Sequence, residues 1–532
     1  MKSRIIVTLL PIVLMFFGSR AQAANYAVKA AGAGTFSTIQ ACANAAAPGD
    51  ICTVFAGTYQ EYVNPPTSGT SAAPITFTVN AGDNVKVSGF TISKNYIVVS
   101  GFEIYDPTFS ESNGVLLNSV TGVQILNNTI HQVGTSQCIK MAYGTTSSYT
   151  VIKSNTISWC AATPQTNGGG AAILINGDHN LVDTNDISHV TDFVQLYGSF
   201  NVVRNNQFHD VNAAVDFPLY TGELHIDAME SECVSPQPAL IHVLIERNTV
   251  ENILGVGGAH AWLFQDSSSP CGSHGAITRF NTVHNLGTGY LYDDLGGFYG
   301  VKDYNNTIVT LQTQMSPKEC GIATFIHNST KGAMINDIIY DAVSNNCEWI
   351  DTDPTTLLNF VGKNNLGYLP SCGTGCIYLA PFSTMAGNIL NKNPLFVNST
   401  SDWHLQSASP ARGAGTYLTT VAAGDSGSGI ALVVNDAGFF QDGSGIPGVR
   451  GDSIKVGSAS PVQISSVNYT TDTITLANPI NRSFGDPVYL YADSGRNIVL
   501  LNSNPDMGAH QSANPGQSTQ PAPPTGLTIA VH

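Results

Sequence analysis

In a chain in which 11% of residues are charged, the stretch YTGELHIDAMESEC (Tyr220 to Cys233) places one histidine, one aspartate and three glutamates within fourteen positions. Two further phrases follow it, HAWLFQD from His260 and GYLYDD from Gly289. Aligned by their starts, these segments stack Asp227 with Trp262 and Tyr290, Met229 with Phe264 and Tyr292, and Glu230 with Gln265 and Asp293, with Ser231, Asp266 and Asp294 beside them. Carboxylates and imidazoles in one place suit acid–base chemistry, and flat aromatic faces suit sugar rings. The candidate catalytic residues are therefore Asp227, His225, Glu230, His260 and Asp293, and the candidate substrate-binding residues are Trp262, Tyr290, Tyr292 and Gln265. Asp266 and Asp294 are candidate ligands for calcium, a hard cation that takes oxygen donors.

What positions these residues is a repeat. QILNNTI, VIKSNTI, LVDTNDI, VVRNNQF, LIERNTV, ITRFNTV, KDYNNTI and GAMINDI share an asparagine at 128, 155, 185, 206, 248, 281, 306 and 336. The gaps run from 21 to 33 residues, apart from one of 42 that contains the opening stretch. That length is one supersecondary unit per repeat. Two positions on, Ile130, Ile157, Ile187, Phe208, Val250, Val283, Ile308 and Ile338 predict one interior stack. Three positions before the asparagine, Ile125, Ile152, Val182, Val203 and Ile245 predict another. The pleat is out of phase across the asparagine, so the chain must bend there, and asparagine tolerates the left-handed backbone such a corner uses. The phrases are β-branched and lack a 3.6-residue period, which disfavours helical solenoids and predicts coils stacked into parallel sheets. Lys153, Asp183, Arg204, Glu246 and Arg279 alternate in sign two positions before the asparagine and predict an exposed charge ladder.

Three phrases tie this repeat to a known group. GTFSTIQACANAAAPGDICTVFAGTYQE (Gly34 to Glu61), DWHLQSASPARGAG (Asp402 to Gly415) and PDMGAHQ (Pro505 to Gln511) resemble the cap, first coil and closing phrases of pectate-lyase-like right-handed parallel β-helix proteins. The resemblance implies an all-β right-handed parallel β-helix solenoid. It implies no single activity, because the group includes lyases, hydrolases, epimerases and surface proteins. HIDAMES also resembles a His-x-Asp-Gly-x-Gln strand phrase of that superfamily, with Ala228 and Glu230 in place of glycine and glutamine. Calcium-dependent lyases of the superfamily use an Asp-rich cluster and a lysine base. Here no lysine lies in the three strands, and the nearest are Lys302 and Lys140. The Asp-Asp and Gly-His-Gly order of polygalacturonase-like hydrolases is not matched, since Asp293-Asp294 follows GSHG and the Arg-x-Lys is missing.

The organisation expected is a signal peptide at 1–23, a cap with a short amphipathic helix at 24–64, the β-helix at 65–412, a small antiparallel β module at 413–504, a closing strand at 505–511 and a proline-rich tail at 512–532. Capping of the solenoid is the expected role of the module. Removing Lys2, Arg4 and Arg20 with the signal takes the formal charge from −16 to −19, with no basic block, which makes nucleic acid a poor partner. No segment has the ~20 apolar residues of a membrane span, so a secreted, cell-surface or periplasmic location after cleavage of the signal peptide is expected. The ten cysteines fall into neighbouring pairs: Cys42 with Cys52, Cys138 with Cys160, Cys233 with Cys271, Cys320 with Cys347, and Cys372 with Cys376. The functional expectation is a polysaccharide lyase acting by β-elimination on a uronate-containing glycan, preferred on the superfamily resemblance. The alternatives are a glycoside hydrolase using the same groove, and a non-catalytic surface or adhesion solenoid that binds glycans.

Overall fold

A computed structural model describes residues 23–106, 108, 113–133, 136–160, 171–217, 224–232, 237–254, 258–265, 272–286, 289–294, 300–311, 321–325, 332–340, 348–352, 360–368 and 386–512. The strands form a right-handed parallel β-helix. A 13-stranded parallel sheet runs from Asn25–Val28 to Val361–Lys363, and a second sheet carries two strands of most coils. The helix Ile39–Ala45, capped by Thr38, lies at the N-terminal end and is tied to the first coils by the disulfide Cys42–Cys52. Cys138–Cys160 forms the second predicted disulfide. Cys233, Cys271, Cys320, Cys347, Cys372 and Cys376 lie outside the described residues, as do most of the expected signal peptide and nearly all of the tail.

The repeated asparagine forms a buried ladder. Asn128 donates its backbone N–H and its amide to Asn155 Oδ1 at 2.9 and 3.0 Å, and Asn155 does the same to Asn185. The pattern continues through Asn206, Asn248, Asn281 and Asn306. Each amide also reaches a carbonyl of the neighbouring coil, as Asn155 does to Ile125 O at 2.9 Å. These bonds satisfy buried backbone groups at a place where the sheet ladder is interrupted. The left-handed corner itself belongs to the preceding residue: Asn127, Ser154, Thr184, Asn205, Arg247, Phe280 and Asn305 have φ of 54–58°. This corrects the role expected for the asparagine.

The interior stack forms through Ile130, Ile157, Ile187, Phe208, Val250, Val283 and Ile308, but its next member is Ile339. Asn336 takes the left-handed corner at φ 63°, Asp337 takes the ladder position, and Ile338 packs in a separate cluster with Met507. The alignment had slipped by one residue in that coil, because two successive residues there can each turn the corner.

The charge ladder pairs in the expected register, Lys153 to Asp183 to Arg204 to Glu246 to Arg279. It is not exposed beyond Lys153. A six-stranded antiparallel module spanning Thr419–Ala492 folds back over this sheet and buries it. Arg279 forms a two-bond fork to Asp452 at 2.7 and 2.8 Å and bonds Glu246 at 2.9 Å. Arg204 reaches Ser494 and the Gly448 carbonyl, and Lys302 pairs with Asp436 at 2.7 Å. Around these ions Val151, Leu181, Val202, Leu244 and Ile277 share an apolar core with Leu432, Val434 and Phe440. The module covers the side of the solenoid. Residues 505–511 carry no strand; Met507 and Gly508 donate to the carbonyls of Ala411 and Asn336.

Candidate active site

The strand preceding each asparagine corner follows a four-residue frame fixed by pairing. Its members are Asn113–Leu116, Gln137–Lys140, Ala171–Leu174, Asp192–Gln195, Asp227–Glu230, His260–Leu263 and Gly289–Tyr292. The second and third positions both enter the core, as Phe193 and Val194, Ala228 and Met229, and Ala261 and Trp262 do. Two successive inward residues break simple alternation and leave the first and fourth positions on the outer side.

This frame moves the predicted stack by two residues in the second strand and by one in the third. Asp227 pairs with Asp192 on one side and His260 on the other, and Trp262 pairs with Met229 and Leu291. Trp262 is fully buried in the core and is not a sugar-binding surface. Asp293 pairs with Phe264 and Gln265 with Asp294, so the stack of Glu230 with Gln265 and Asp293 does not form. Asp227 is fully buried and does not present its carboxylate on an open surface. The side chains of His225, Gln265, Tyr290, Tyr292, Asp293 and Asp294 lie outside the described set, as does all of Asp266.

Two predicted catalytic residues do meet. His260 bonds Asp227 Oδ1 through Nδ1 at 2.8 Å and through its backbone N–H at 3.1 Å. Glu230, partly exposed, meets residues the sequence reading passed over. The Gln195 amide nitrogen lies 3.1 Å from Asp192 Oδ2 and 3.0 Å from Glu230 Oε2, so the two carboxyl oxygens are within about 6 Å of each other. Burial, the Glu230 charge and the Asp227 charge hold the Asp192 carboxyl well above its ordinary range. Asp192 therefore keeps a proton where an exposed aspartate has lost it.

Tyr143 stands beside this pair and is exposed; burial of its hydroxyl and the negative charge of Glu230 push its ionisation up, and its hydroxyl also bonds Gln237. The Lys140 ammonium lies 4.8 Å from the Tyr143 ring centre, and burial lowers its affinity for a proton. Lys140 occupies the same outer line as Leu174, Gln195 and Glu230. Lys302 lies elsewhere, buried against the module. A signal for Asp192 and Gln195 was available: DFVQ and DAME place their polar groups at identical offsets.

The residues expected to hold calcium, Asp266 and the Asp294 side chain, lie outside the described set. Among the described residues no three His, Cys, Asp or Glu groups are placed to hold a metal ion. The facing oxygens of Asp192 and Glu230 converge on an amide donor, where a cation would need an oxygen.

The sequence of residues 75–223 matches the family described as right handed beta helix region. Over that span the chain is similar to right-handed β-helix proteins. No curated protein matches its sequence. Among solved structures, this β-helix is similar to pectate lyase Pel9A (14% identity, 77% of this chain and 94% of that one, TM-score 0.45). It is similar to an alginate lyase from Paenibacillus sp. str. FPU-7 (14%, 64% and 99%, TM-score 0.38) and to XylC, solved in complex with xylose (14%, 88% and 99%, TM-score 0.40). Similarity at this level assigns no activity to the β-helix.

Proposed function

We propose that the chain is a glycoside hydrolase acting on a neutral polysaccharide outside the cytoplasm, with Asp192 and Glu230 as the working carboxyl pair. The observation that carries this reading is the pair bridged by Gln195, one member of which burial and like charge keep protonated. A protonated carboxyl beside an ionisable one is the equipment for glycosidic cleavage: the acid protonates the departing oxygen while the partner attacks or activates water. Oxygens within about 6 Å suit the close spacing of retaining enzymes, ~5–5.5 Å, better than the wider gap that admits a water. In this assignment Asp192 is the acid, Glu230 the nucleophile, and Tyr143 an exposed face for a sugar ring. His260 and Asp227 act as a positioning pair beside them. The two disulfides support action in an oxidising compartment.

The second reading is a lyase, favoured by Lys140, whose depressed proton affinity suits a base. Against it, the charges acting on Asp192 are those of Glu230 and Asp227, and a uronate carboxylate brought there would meet like charge. The test is incubation with neutral and uronate polysaccharides, with and without chelator, reading reducing ends and unsaturated-product absorbance together. Reducing ends from a neutral glycan, unchanged by chelator and lost in Glu230→Gln, are expected. Unsaturated products from a uronate, lost in Lys140→Ala, would transfer the assignment to the lyase.

A further inference from the structure

A cavity of about 270 Å³ opens on the N-terminal coils, among Tyr62, Tyr105, Lys86, Asp106, Gln60 and Ser88. The Tyr62 ring stands against Gly89, where a Cβ would lie 2.4 Å from Cε1, 2.5 Å from the Gly114 carbonyl oxygen and 2.7 Å from Cδ1, so glycine leaves room for both the ring and the neighbouring strand. The Tyr62 hydroxyl donates to Asp106 Oδ2 at 2.8 Å. Asp106 is buried and also accepts the Thr108 N–H at 3.0 Å and hydroxyl at 2.6 Å. An aromatic ring held against a strand and bonded at its hydroxyl costs little further entropy to use as a platform. Lys86 brings no net charge, because Glu103 Oε1 lies 2.8 Å from its amine.

The cavity is collinear with the candidate active site. Phe90 pairs with Val115, so Ser88, two residues earlier, stands opposite Asn113, which pairs with Gln137. Two residues before the paired Ile139, Ile173 and Val194 come Gln137, Ala171 and Asp192. Ser88 and Asp192 therefore share one register line, with Gln137 and Ala171 buried between them, four strand spacings or roughly 19 Å apart at ~4.8 Å each. That span equals the length of several sugar units of an extended glycan.

We propose that this cavity is a distal subsite that holds a neutral pyranose unit of the chain being cleaved at Asp192 and Glu230. The assignment of the cleavage point rests on the hydrolase reading; the assignment of the cavity as a sugar site does not. Tyr62 supplies the stacking face, and Gln60, Ser88 and the Lys86 amine supply hydrogen bonds to hydroxyls. Occupation of a remote subsite favours long chains over short ones, so the enzyme cuts within chains.

The test uses the full chain with cello-, xylo- and manno-oligosaccharides of two to eight units. Titration calorimetry on the Glu230→Gln variant reads binding, and kcat/KM on the parent reads cleavage. For the sugar series that binds, affinity and kcat/KM should rise once the chain is long enough to span the line. In Tyr62→Ala, and in Ser88→Trp, which fills the cavity while Tyr62 is kept, that rise should fall by about tenfold, with short-chain kcat/KM unchanged. Cleavage with no dependence on length, and none on Tyr62 or Ser88, would overturn the subsite and leave the hydrolase reading intact. Binding that both variants weaken, with no cleavage of any chain, would uphold the sugar site and overturn the hydrolase reading. No binding of any series would overturn the sugar site.

Discussion

Asp192 and Asp337 are buried carboxyl groups whose proton affinities are raised for different reasons. At Asp192 the cause is burial followed by Glu230 and Asp227, which places it in a chemical group. Asp192→Asn keeps the shape and removes the proton donor, so kcat should fall by about 10²–10⁴, the range general acid catalysis supplies, and the loss of activity with rising pH should disappear. A pH–rate profile checks both. Asp337 sits instead in the asparagine ladder, accepting from Asn306 N–H at 2.6 Å, with burial and then Asp303 raising its proton affinity. Its Oδ2 has no hydrogen-bond partner among the described residues, where every asparagine of the ladder has an amide. A raised folded-state value means that the fold holds a proton the unfolded chain releases. The stabilisation is therefore complete below ~4 and is lost as pH rises towards the folded value. Asp337→Asn should raise stability at pH 8 by about 1–3 kcal/mol and leave it nearly unchanged at pH 4, read as melting temperature against pH. Asp227, fully buried and bonded to His260, is now expected to cost stability as well as function when replaced by alanine.

At the scale of the element, the strands that carry the site were legible in the sequence and their register was not. The asparagine phrases gave the coils because a fixed offset between Asn and an aliphatic residue survives in almost every repeat. The preceding strands carry no such marker. Alternation counted from His260 would turn Trp262 outward, yet Ala261 and Trp262 both enter the core. Aligning on the aspartates of DFVQ and DAME would have found the frame, and with it Asp192 and Gln195. The two aromatics separate the readings by experiment. Trp262→Ala removes a large core side chain and should cost about 3–5 kcal/mol, with activity lost through unfolding. Tyr143→Ala removes an exposed ring beside Glu230 and should weaken glycan binding several-fold with a melting temperature within a few degrees of the parent. If Tyr143→Ala binds and turns over glycan as the parent does, the sugar path does not cross that ring.

For the whole molecule, the solenoid divides its labour between sheets. One sheet gives its charged outer ladder to the module, and the other keeps Ser88, Asp192 and Glu230 along its length. The ladder was visible as alternating signs, but its burial was not, because a residue that faces out of a coil looks the same whether water or a folded-back module covers it. That burial makes the contact strongly cooperative. Arg279 is fully buried between Glu246 and Asp452, and loss of one member of such a group leaves the others charged and desolvated. Arg279→Ala should therefore cost about 3–5 kcal/mol, while Arg279→Met with Glu246→Leu and Asp452→Leu should recover most of it. The module and the solenoid share an apolar core, so the parent should unfold in one calorimetric transition, and Arg279→Ala should split off an earlier transition accompanied by proteolytic cleavage in 413–504. Turnover at 25 °C should persist in Arg279→Ala, since the contact lies on a different sheet from Asp192 and Glu230. A loss of turnover at a temperature where the variant remains folded would mean that the module holds the active strands in register from behind.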